Sequence, residues 1–140
     1  MKKSMLFARL IVFSLGIGFF VLGFEIYLQH YDLLNEKRIM WTPIVFGFAG
    51  GVVTVLIALF FNKIGYYLFY LVMFISILVG SLGLYLHNRW RFPSFIDFLF
   101  HGKGFNFEIL TTYTPLLAPS AFIAMGSLGI LVAMFHKWGD

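Results

Sequence analysis

The side chains of this 140-residue chain that are capable of chemistry are few and unevenly placed. Glu25, His30, His87, His101 and Glu108 combine imidazoles with carboxylates, the donor set that suits Zn, Fe or Mn. Counting helical rise from Met5 to Glu25 and from Tyr66 to His87 gives nearly equal lengths, so Glu25 and His87 are expected at similar depth on two helices that run in the same direction. A third ligand from His30 or His101 would complete a metal site, with Glu108 a further candidate from the third connection. A b-type haem is the related expectation, with His30 and His87 the only sensible axial pair, although His30 lies about five residues beyond the depth of Glu25. The plainer alternative has Arg89 or Arg91 neutralising Glu25 while His87 ends its helix.

Other chemistries find no foothold. The chain has no cysteine, which removes disulfides, thiolate metal sites, iron–sulfur clusters and covalently attached haem. It contains no G-x-S-x-G, no H-E-x-x-H and no zinc deaminase pattern, and Gly102 and Gly104 make too short a pair for a phosphate loop. The net charge is +4, but Lys and Arg occur in ones and twos without a basic patch, so nucleic acid is not an expected partner.

What must position the polar residues is apolar. Hydrophobic residues are 61% of the chain, charged residues 11%, and mean hydropathy is +0.91. Soluble domains run at about 45–50% apolar and about 25% charged. Four stretches, residues 5–24, 43–61, 66–86 and 116–135, each approach the roughly 20 residues that cross a bilayer as helix. The expected fold is an all-α integral membrane protein, a four-transmembrane-helix bundle forming one membrane domain over 1–140. Of the charged side chains and histidines, only Arg9 falls inside a span. Proton relays and ion-coupled carriers normally place ionisable groups there, so such transport is unsupported. The first stretch resembles a secretory signal, but no small-x-small cleavage site follows, and it reads as a retained anchor.

The connections complete the expectation. Thr42-Pro43 predicts a capped helix start, Asn62–Gly65 a tight turn, and Pro115 with Pro119 an irregular approach to the fourth span. Past Phe24 the first helix should continue for about two turns, placing Glu25, Gln29 and Asp32 on one face and His30 on another. In the long third connection, Pro93–His101 predicts a short amphipathic interfacial helix stopped by Gly102. Each span carries small residues four apart: Ser14 and Gly18, Gly47 and Gly51, Ser76 and Gly80, Gly129 and Ala133. Such pairs let helix backbones approach closely.

Cations flanking the spans divide five to five between the two sides. The first helix therefore decides orientation: Lys2, Lys3 and Arg9 predict both termini in the cytoplasm of a bacterial-type membrane. The opposite, outer end then holds five of the six acids and three of the four histidines. The leading functional expectation is a non-enzymatic accessory or assembly subunit of a larger membrane complex, with the bilayer, membrane proteins or further copies of the chain as partners. The second is a redox or hydrolytic protein using a metal or haem at Glu25, His30, His87, His101 and Glu108.

Overall fold

The computed structural model describes residues 3–89, 92–102, 104 and 117–135. Its elements are helices α1 (Lys3–His30), α2 (Trp41–Phe60), α3 (Lys63–Asn88), α4 (Phe92–His101) and α5 (Leu117–Phe135), with single 3-10 turns at Tyr31–Leu33 and Arg38–Met40. Four of the helices, α1, α2, α3 and α5, are long and apolar enough to cross a membrane. Among the described residues there is no strand.

Leu, Ile, Val and Phe dominate these helices on every side, so burial inside the bundle cannot be read from an apolar stripe. Large side chains such as Val21 and Leu28 on α1, Val45 and Leu56 on α2, Leu71 and Leu78 on α3, and Leu128 and Leu131 on α5 are exposed. An apolar exterior of this extent on four helices suits hydrocarbon as solvent rather than water.

Two antiparallel pairs make the closest contacts, α1 with α2 and α3 with α5, while α2–α3 and α1–α5 close the ring. Missing side chains make the approach possible. Gly16 and Gly23 of α1 face Gly51 and Gly47 of α2; a Cβ built on Gly47 would lie 2.6 Å from the Gly23 Cα. On the other side, Gly80 lies against the backbone of Pro119 and Gly126 against that of Met73. The Ser76 hydroxyl donates to the Phe122 carbonyl oxygen at 2.7 Å, tying α3 to α5. At the centre, Phe19, Phe46 and Phe122 from three helices meet with ring centroids 5.5–5.9 Å apart. Buried among these elements, the Thr54 hydroxyl has no hydrogen-bond partner among the described residues.

The expected small-residue pairs on α2, α3 and α5 are buried, but on α1 the pairing is different. Ser14 is exposed, and the helix instead uses Gly16 and Gly23, two turns apart, against α2. Gly18 turns toward Met125 of α5.

Helix ends also depart from the expected pattern. The α2 N-cap is Met40, not Thr42, because the Arg38–Met40 turn leads straight into the helix. Pro43 falls in the first turn, where its missing N–H costs no intrahelical bond. The Asn62–Gly65 turn is shorter than expected: Asn62 caps α3, its Oδ1 accepting from the Gly65 N–H at 2.8 Å, and the helix starts at Lys63. The reversal is made by Phe61, whose backbone is left-handed with φ 30°. Beside it, the Arg9 guanidinium donates to Ala58 O at 3.0 Å and Leu59 O at 2.7 Å and lies 6.0 Å from the Phe61 ring centroid. The charged residue inside the first span thus satisfies two orphan carbonyls at the negative end of α2.

As expected, α1 continues past Phe24, and α4 forms over nearly the predicted residues with Gly102 at φ +62° behind it. Pro119 lies in the first described turn of α5 and does not break it, while Pro115 lies outside the described residues.

Candidate cavity at the end away from the termini

At the end away from the termini, α1, α3, α5 and the approach to α2 enclose a cavity of 380 Å³. The size is within the range of small-molecule sites, about 300–1,000 Å³. Its lower wall is apolar, from Ile26, Val79, Leu82, Ala118 and Phe122. Phe122 belongs to the central aromatic cluster, so the cavity stands on the packed middle of the bundle. Its rim is polar, from His30, Lys37, Thr42, His87 and Arg89. Val79 precedes His87 by eight residues, so about 12 Å of helical rise separates the wall from the rim.

His30 and His87 face each other with ring centroids 5.8 Å apart. Nδ1 of His30 lies 2.9 Å from the Ile26 carbonyl oxygen. A carbonyl only accepts, so this nitrogen carries the proton and the His30 lone pair resides on Nε2. His87 is half-buried and has no hydrogen-bond partner among the described residues. Lys37 and Arg89 are exposed and form no ion pair among the described residues.

The expected ligands do not assemble as a group. Glu25 is exposed, accepts a hydrogen bond from Gln29 Nε2 at 3.0 Å and does not line the cavity. The residue that meets His87 is His30, which lies one turn beyond the buried Ile26 on the same face; Glu25 is rotated outward by one position. His101 pairs within α4, its Nδ1 3.3 Å from Asp97 Oδ1. Glu108 lies outside the described residues. Among the described residues, no three His, Asp or Glu side chains converge as metal ligands.

Lys37, Thr42 and Arg89 had no place in the expected site. Lys37 and Thr42 come from the connection and the start of α2, and Arg89 follows α3, so only tertiary packing unites them. Comparison with family models, curated proteins and solved structures finds no match to the chain.

Proposed function

We propose that this chain is an integral membrane protein of a non-enzymatic kind, an accessory or assembly subunit of a larger membrane complex, with both termini cytoplasmic and the cavity end outside. The observation that carries the reading is how the polar side chains are used. Arg9 ties α1 to α2 and Ser76 ties α3 to α5, while Asn88 is used within α3 on the Leu84 carbonyl, so these groups serve the helices and their packing rather than converge on a reacting centre. The exposed Ile96, Leu99 and Phe100 of α4 add an apolar surface beyond the four long helices, suited to an interface or to the membrane boundary.

Crosslinking in the native membrane, followed by extraction in mild detergent and mass measurement, tests this. The expected result is a complex of reproducible stoichiometry containing a second membrane protein. A lone monomer both before and after extraction overturns it.

The meeting of His30 with His87 favours a second reading, a metal- or haem-dependent redox or hydrolytic protein. Nε2 of His30 and the unpartnered imidazole of His87 would supply two ligands. Metal analysis and an absorption spectrum decide it: stoichiometric metal or a Soret band, lost in His30→Ala and His87→Ala, supports the reading. Sub-stoichiometric metal with no Soret band refutes it.

A further inference from the structure

We propose that the outer-end cavity is a binding site for an acidic phospholipid, with the phosphate at the rim and an acyl chain along the apolar wall. The inference does not depend on the subunit reading, because it concerns a ligand of this chain alone.

Three features of the cavity select that chemistry. The first is charge. Lys37 and Arg89 bring two fixed cations to the rim, His30 and His87 add imidazoles, and no Asp or Glu is among its described lining residues. The nearby carboxylate of Glu25 is held by Gln29 and stays out of the cavity. A rim with this balance attracts an anion, and guanidinium and ammonium groups match phosphate oxygens. The second feature is the wall. Below the rim, Ile26, Val79, Ala118 and Phe122 offer aliphatic and aromatic surface. A simple inorganic anion would leave that surface uncovered, whereas an amphiphile covers it.

The third feature is a wall shared with the exterior. Leu82 and Leu86 of α3 line the cavity and are 42% and 40% exposed. The cavity thus borders the apolar surface of the bundle along α3. A lipid can keep its head at the rim, lay part of one chain against this wall and leave the rest in the surrounding hydrocarbon. A soluble phosphate ester makes no use of such a border.

The test uses the full chain in a neutral detergent, read by native mass spectrometry and by titration with dihexanoyl phosphatidylglycerol, dihexanoyl phosphatidylcholine and inorganic phosphate. One phosphatidylglycerol should be retained per chain, with phosphatidylcholine at least about tenfold weaker and inorganic phosphate failing to compete. Each basic side chain near a membrane surface contributes about 1 kcal/mol toward an acidic lipid. Lys37→Gln and Arg89→Gln should therefore each weaken binding about fivefold. Arg38→Gln removes the same charge from the same end but not from the cavity, and should leave binding unchanged. Gly83→Leu fills the cavity from its α3 side and should exclude the lipid without changing the charge; a built Cβ at Gly83 meets Pro119 only at ordinary contact, 3.4 Å. Equal retention of both lipids overturns the proposal. So does equal weakening by Arg38→Gln, or saturation by inorganic phosphate at the affinity of the lipid.

Discussion

Gly80→Ala tests one of the close backbone contacts that hold the bundle together. A Cβ at Gly80 would lie 2.6 Å from the Pro119 carbonyl oxygen and 2.9 Å from the Ile123 nitrogen. Real Cβ atoms essentially never come within 3.0 Å of such neighbours, and ordinary contact begins at 3.4 Å. Both obstacles are backbone, so α3 and α5 must separate by about 0.4–0.8 Å. A gap of 0.5–1 Å forfeits roughly a quarter to a half of each dispersion contact it opens. Without a hydrophobic drive between helices in lipid, such contacts are the main source of cohesion. The same movement stretches the 2.7 Å bond from Ser76 to Phe122 O, worth about 0.6 kcal/mol in a membrane interior. Overpacking costs about 1–3 kcal/mol, and exchanging glycine for alanine in a helix returns up to about 1 kcal/mol. The expected net loss is about 1–2 kcal/mol.

Gly83→Ala, one turn away on the same helix, is the internal control. Its Cβ meets the Pro119 side chain at 3.4–3.5 Å, so the substitution should keep the helix-propensity gain and stabilise by about 0.5–1 kcal/mol. Unfolding by a denaturing detergent in mixed micelles reads both variants on one scale. If Gly80→Ala matches or exceeds the wild-type stability, or if the two variants move together, the close backbone approach is refuted.

Three further perturbations have defined outcomes in the same unfolding assay. Arg9→Ala removes two hydrogen bonds and a cation from the C-terminal end of α2, and should destabilise by about 1.5–3 kcal/mol, with Arg9→Lys recovering only part because it lacks the two-armed geometry. Asn62→Ala deletes the cap on α3 and should cost about 1 kcal/mol. Thr54→Val should stabilise by about 1 kcal/mol, since it keeps the shape and discards a buried hydroxyl without a partner; destabilisation would mean the hydroxyl is satisfied.

The four long helices were legible because about 20 consecutive apolar residues leave few alternatives. The same uniformity hid their faces. Because α1 is apolar all round, nothing in its composition shows that Val12, Phe19 and Ile26 face inward and Phe24 and Glu25 outward. Counting depth along the helices therefore brought His87 to the right end of the molecule but offered both Glu25 and His30 as its neighbour, and only packing shows that it meets His30. The helix ends were missed for local reasons. Thr42 and Pro43 make a familiar start signal, but an immediately preceding 3-10 turn had already begun the helix, and Asn62 caps α3 from within the expected turn, so the helix starts at Lys63 rather than Tyr66. Lys37 and Arg89 were invisible as site residues because their meeting depends on how the helices pack, and isolated cations beside a span carry no pattern of their own.

The pairing of α1 with α2 and α3 with α5 also sets a timetable for biogenesis. As the chain leaves the ribosome, α2 finds α1 already made. By contrast, α3 is complete at Asn88 while its partner ends only at Phe135, about 47 residues later. At 5–20 residues per second that interval lasts roughly 2–9 s. For most of it, until Pro119 and Phe122 are made, the seam around Ser76 and Gly80 has no cognate surface, and the Ser76 hydroxyl has no Phe122 carbonyl to meet. For a chain inserted into a membrane as proposed, the nascent third helix is thus the stage at which an insertase or membrane chaperone has most to shield, and at which premature pairing with a foreign helix competes best.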